Sequence, residues 1–184
     1  MKVFYGLLAI LTISITAHAQ PGDFYSLAIQ TLDGKTVSLN SYQGKKILFI
    51  VLPLSEADSA KVNQLLTFKS KYQDKIAIVG ILSEEDGYTI NKKGLIEGLY
   101  YNSRNWNLII TEGILTRKSS GVRQSPFMQW LTKREYNHHF DADVRGIGQK
   151  YFVDETGKLY AVVGPGVSLL SQVIDRIVKT VPAY

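Results

Sequence analysis

The sequence predicts one α/β domain, in which helices flank a mixed central sheet and a β-hairpin precedes the first core strand. Three observations carry that expectation. Residues 46–53 (KILFIVLP) and 76–82 are continuous β-prone apolar runs, the pattern of strands buried on both faces. An amphipathic stretch lies between them, so strand, helix and strand form a βαβ unit with a right-handed crossover. Two pairs of short β-prone segments, one near each end of the chain, are joined by Gly-containing turns.

Each element has a local reason. Residues 27–32 and 36–39 alternate in polarity on either side of Asp33-Gly34, a dipeptide that readily adopts the φ > 0 conformations of tight turns. The strand at 46–53 leads to Asp58 or Ser59, either of which can cap a helix running to about Tyr72, with Val62, Leu65, Leu66 and Phe68 on its apolar face. The strand at 76–82 opens into a polar loop, 83–91. A helix is expected at 93–101 despite Gly94 and Gly98, then a strand at 106–111. Ser125-Pro126 starts a helix through Trp130 to about Lys133, with Pro at the first helical position. Residues 149–154 and 158–163 form the second hairpin. After Gly164-Pro165-Gly166, Ser168 opens an amphipathic helix with Leu169, Val173, Ile177 and Val181 on one face.

Composition fits that picture. A chain of 184 residues, 45% hydrophobic and 20% charged, can bury one full-sized core. Net charge is +5, but the basic residues are dispersed. The densest group, Lys69, Lys71 and Lys75, lacks the interleaved aromatics of a nucleic-acid surface, so no nucleic-acid partner is expected. There is no cysteine anywhere in the chain, which excludes disulfides, thiolate metal sites and a cysteine nucleophile.

Residues 1–19 read as a signal peptide. Lys2 supplies the positive start, residues 3–15 are almost wholly apolar, and Ala17-His18-Ala19 is the small–x–small pattern of a cleavage site. The apolar run falls short of the ~20 residues that span a bilayer. The expected product is a single domain, residues 20–184, exported to a periplasm or secreted, with no integral membrane segment after cleavage.

The element order and two long stretches resemble the glutathione peroxidase family of the thioredoxin-like superfamily. FYSLAIQTLDGKTVSLNSYQGKKILFIVLPLS resembles that family's opening, where a hairpin leads into the first core strand. SPFMQWLTKREYNHHFDADVRGIGQKYFVDETGKLYAVVGPG resembles its closing half. The resemblance implies a thioredoxin-like fold. It also implies a peroxidase site built from a Cys or selenocysteine after the first core strand, a Gln after the second, and a Trp-Asn pair before the penultimate strand.

None of those residues is present. Alignment places Ala57 near the nucleophile position, where a shift of one or two residues would give Glu56 or Asp58, places Glu85 near the Gln, and sets Gly146 and Ile147 at the Trp-Asn pair. Ala57 offers no nucleophile, and Gly146 and Ile147 offer no side-chain donor. An ionised Glu85 would disfavour a neighbouring thiolate. The scaffold is retained and the redox site is erased, so the expected role is that of a binding or accessory domain. Its candidate binding residues are Ser55, Glu56, Asp58, Glu84 and Glu85, in a cleft with 146–148, open to a protein or small-molecule partner. No cofactor is implied.

Ser55 and Ser59 lack the surroundings of a nucleophilic serine and suit cap and loop roles. Gly164-Pro165-Gly166 lacks the spacing and Lys of a phosphate loop. Tyr100, Tyr101 and Trp106 could form an aromatic binding face or fill the core. The alternative function is metal binding or metal-dependent catalysis through His138, His139, Asp141 and Asp143, whose imidazoles and carboxylates suit a divalent ion.

Overall fold

Alternating side chains on the central strand send apolar groups to both faces of the sheet, and this organises the molecule. The computed structural model describes residues 22–101 and 108–181. The expected leader and Trp106 lie outside them. Strands β3 (Lys46–Val51), β4 (Ile76–Ser83), β5 (Ile109–Ile114), β6 (Lys150–Val153) and β7 (Leu159–Val163) form one sheet in the order β5-β4-β3-β6-β7. β3, β4 and β5 run parallel, while β6 and β7 complete a mixed sheet antiparallel to their neighbours. An antiparallel hairpin of β1 (Ala28–Gln30) and β2 (Thr36–Ser38) precedes it, with Gly34 at φ 81° in the turn.

Every residue of β3 is buried. Leu48 and Ile50 face a core shared with helices α1 (Ser59–Tyr72), α2 (Lys93–Tyr100) and α5 (Gln172–Lys179). Ile47, Phe49 and Val51 face a second core shared with the hairpin and helix α3 (Pro126–Thr132), where Phe24 packs on Trp130 at 4.7 Å and Phe127 on Phe49 at 6.0 Å. Each fully buried side chain of this size contributes about 1.5–3 kcal/mol. Together the layers form the thioredoxin-like architecture, with helices on both faces and the hairpin at the N-terminal side.

The hairpin also covers a sheet edge. Thr31 bridges Thr111 of β5, and Leu32 N–H donates to the Ile110 carbonyl at 2.9 Å, partnering backbone groups that an edge strand would otherwise expose. At the opposite end of the domain, the buried Lys46 amine donates to the Val178 and Thr180 carbonyls at 3.1 and 2.6 Å, closing the C-terminus of α5.

Several boundaries differ from the sequence reading. β5 continues to Ile114, three residues beyond the expected Thr111 end. A short helix α4 (Arg134–Asn137) follows α3, held by the Asn137 side chain, which donates to the Trp130 and Phe140 carbonyls at 2.9 Å. The last helix starts at Gln172 with Ser171 as its cap, because Ser168 and Leu169 belong to a preceding turn. Its register therefore shifts: Leu169, Ile174 and Val178 are buried, while Val173 and Val181 are exposed.

Candidate functional site

The parallel strands deliver two loops to one end of the sheet, and antiparallel β6 begins there, because Ile50 of β3 pairs with Lys150. That end is where α/β sheets place ligands, and it holds the candidate residues. In the first loop Ala57 is exposed within a short turn, Glu56–Asp58. The Ser55 hydroxyl donates to Asp58 at 3.1 Å, and Lys61 pairs with the other Asp58 oxygen at 2.6 Å. Asp58 heads α1 without a side-chain capping bond. Glu56 is exposed.

The second loop is knitted far more densely. One Glu85 oxygen accepts from Thr116 N–H at 2.8 Å, the Thr116 hydroxyl at 3.0 Å and the Ser83 hydroxyl at 3.3 Å. The other accepts from the Ser120 hydroxyl at 2.8 Å and from the Thr116 and Arg117 N–H groups at 3.1 Å. Burial raises the Glu85 carboxyl pKa, but donation from the Thr116 and Arg117 N–H groups and the Ser120 hydroxyl outweighs it and holds the value at about 2. Beside it, Arg117 pairs with Asp86 at 2.6 Å. The remaining Asp86 oxygen is buried without a partner among the described residues. Gln124 donates to the Thr116 carbonyl at 2.7 Å and supports the strap from beneath.

The third segment closes against these. Gly148 N–H donates to the Val51 carbonyl at 2.8 Å and Val51 N–H to Gln149 at 3.0 Å, so 148–149 extends the β3–β6 pairing. Gly146 has φ 128°, a left-handed backbone that suits glycine, and a Cβ there would stand 3.8 Å from Asp86. Ile147 is half-buried against the hairpin-side core. The Lys150 side chain is buried, donates to the Gly148 carbonyl at 2.6 Å, and burial pushes its amine pKa down to about 8.

The structure thus brings Glu85, Asp86 and Gly146 together and leaves Ser55, Glu56 and Asp58 bonded within their own turn and α1. Glu84 turns away to a groove on the hairpin side. The four candidate metal ligands do not converge on one centre. His138 ends α4 with φ 62° and is exposed, and His139 is exposed beside it. Asp141 pairs with the Lys118 amine, and Asp143 accepts from Lys118 N–H at 3.0 Å and Val144 N–H at 2.8 Å. Among the described residues, no three His, Asp or Glu side chains converge as a metal set. Tyr100 is a core residue, its hydroxyl donating to the Pro53 carbonyl at 3.0 Å.

Thr116, Arg117, Ser120 and Lys150 escaped the sequence reading. The first three are polar residues in a loop with no periodicity. Lys150 carries one readable signal, a cation at the head of the otherwise apolar run KYFV.

This arrangement belongs to the thioredoxin-fold class, with glutathione-peroxidase-like proteins and thiol–disulfide oxidoreductases among its structural neighbours. The chain is similar to Trgpx in its apo form, with 16% identity, coverage of 87% of this chain and 98% of that one, and a TM-score of 0.61. It is similar to T. cruzi GPX1, with 14% identity, coverage of 80% and 89%, and a TM-score of 0.58. It also resembles a thiol:disulfide interchange protein of the thioredoxin family from Chlorobium tepidum TLS, with 20% identity, coverage of 89% and 97%, and a TM-score of 0.55. In sequence it matches no protein-family model and no curated protein. At these identities the likeness establishes the fold, and this fold is here carried by a chain without cysteine.

Proposed function

We propose that this chain is an exported, glutathione-peroxidase-like protein that has given up thiol chemistry and serves as a binding or accessory domain. Residues 1–19 direct export to a periplasm or the medium, and residues 20–184 are the mature single domain. The observation that carries the reading is Glu85. At the position where the resembled family keeps a Gln beside its nucleophile, this chain has a carboxylate whose oxygens are occupied by backbone and hydroxyl donors of the 116–120 strap. Ala57, Gly146 and Ile147 complete the loss, supplying neither nucleophile nor side-chain hydrogen-bond donor. What remains at this end of the sheet is a shaped polar surface around 55–58, 85–86 and 146–148.

The test is peroxide consumption by the mature protein with thioredoxin-linked and glutathione-linked reductants, after its N-terminus has been sequenced from an exporting host. The expected outcome is a mature chain beginning at Gln20 and a rate equal to that of buffer. Turnover above buffer would overturn the loss of activity, and retention of Met1 in the cytoplasm would overturn export.

A further inference from the structure

On the hairpin side of the second loop, a groove of 340 Å³ lies between the β1–β2 turn, the segment after β4 and the outer part of β5. Glu84 and Glu112 stand on its walls with Asp33, Tyr88 and Lys93. Asp33 is engaged, paired with Lys35 at 2.6 Å and accepting from the Thr31 hydroxyl. The Glu84 and Glu112 carboxylates have no hydrogen-bond or ion-pair partner among the described residues, although both are exposed to the groove side of the fold. Tyr88 is only 5% exposed, and its hydroxyl is buried with no partner among the described residues.

That orphan is costly, since a buried hydroxyl forfeits its water hydrogen bonds without replacement. The local backbone is built to hold it. A Cβ on Gly113 would come within 2.4 Å of the Tyr88 ring and 3.5 Å of a Glu84 carboxylate oxygen, so the bare glycine gives ring and carboxylate their places side by side. Burial, reinforced by the charges of Glu97, Glu112 and Glu84, raises the Tyr88 phenol pKa, so it stays neutral, with a lone pair to offer.

The occupant follows from charge and spread. Free carboxylates beside an aromatic ring select a cation. The acids do not converge on a point as a metal site requires. A planar guanidinium, with five donors in a fixed fork, can reach acceptors on separate walls. Lys93 on the same rim is paired with Glu97 at 3.9 Å, and its remaining N–H groups suit a neutral acceptor such as the peptide carbonyls flanking an arginine. We infer that this groove binds an arginine side chain of a polypeptide partner, with Glu84 and Glu112 accepting from the guanidinium and the Tyr88 hydroxyl accepting a further hydrogen bond. The inference does not rest on the loss of peroxidase chemistry and stands or falls separately from it.

Calorimetric titration with acetyl-Gly-Arg-Gly-amide, against the same peptide carrying neutral citrulline, tests it. The arginyl peptide should bind saturably and the citrulline peptide at least about tenfold more weakly, the loss of charge-assisted bonds. Glu84→Gln and Glu112→Gln, both at exposed positions, should each weaken arginyl binding by about fivefold or more. Tyr88→Phe should weaken binding and also raise thermal stability, because it removes the orphan hydroxyl; a gain in stability with unchanged affinity overturns the role given to that hydroxyl. Absence of saturable arginyl binding, equal binding of the citrulline peptide, or affinity unchanged in both Gln variants overturns the site.

Discussion

Two charges are drawn inward at the same end of the sheet, one on each side of β3, and they are handled in opposite ways. Glu85, after β4, is met by backbone N–H groups and hydroxyls from a separate segment, and its ionised form is the favoured one. Lys150, at the head of β6, is met by the Gly148 carbonyl and lies near that of Gly164, and burial pushes its amine toward neutrality. The difference teaches that burial alone does not decide what a charge does. A carboxylate ringed by donors becomes a structural rivet, whereas an amine with carbonyl acceptors and no countercharge among the described residues remains a titratable group near neutral pH.

The largest expected effect is therefore at Glu85. Glu85→Ala leaves the Thr116 and Arg117 N–H groups without their acceptor and should cost about 2–4 kcal/mol of unfolding free energy, measured by chemical denaturation. The pH dependence has a definite sign. The folded carboxyl is held at about 2 against an ordinary 4.5, so its stabilisation is complete above pH 4.5 and drains away as pH falls toward 2. Glu85→Gln should flatten that acid limb. An unchanged limb would break the contrast by showing that the donor ring does not favour the charged form.

Lys150 should show a smaller effect. Its folded pKa of about 8 lies below the ordinary 10.5, so between these values the unfolded chain holds the extra proton. Stability should then rise with pH across that window, by about 1–3 kcal/mol from this group. Lys150→Met should lack the rise, and the difference between the two stability–pH curves isolates Lys150 from the tyrosines that titrate nearby. Parallel curves would mean that the amine stays charged through its carbonyl partners, and the two sites would then be alike.

How far the sequence anticipates these sites depends on the range of the signal. The buried runs around Phe49 and Val79, the Asp33-Gly34 turn and the Asp154–Gly157 turn are local patterns, and the βαβ unit and both hairpins lie where those patterns put them. The last helix is capped three residues later than the sequence suggests, because Ser168 and Ser171 are equally good caps on paper and only packing of Ile174 and Val178 chooses between them. Glu85 could be placed in a strand-end loop from sequence. That its partners are Thr116, Arg117 and Ser120, more than thirty residues away, is a tertiary fact with no local trace. The orphan hydroxyl of Tyr88 is equally silent in sequence, since it depends on the empty Cβ position of Gly113.

The smallest expected effect on stability, and the sharpest test of the loop beside α1, is Ala57→Cys. Ala57 is exposed, so the substitution should shift stability by no more than about 0.5 kcal/mol. It puts a sulfur in the loop that the sequence resemblance aligns with the family's nucleophile. The adjoining N-terminus of α1 favours a thiolate, while the flanking Glu56 carboxylate opposes it and Asp58 is partly offset by Lys61. Gly146 and Ile147 supply no side-chain donor, and Glu85 holds its oxygens toward the 116–120 strap. The thiol should consequently titrate near the ordinary value of about 8.5, read from the pH dependence of iodoacetamide alkylation, with no peroxide consumption above buffer. A markedly lower pKa accompanied by turnover would mean that the first loop kept its activating field and lacked only the sulfur. The contrast between the densely bonded second loop and the sparsely bonded first would then mark where catalysis had resided, not only how the fold is held.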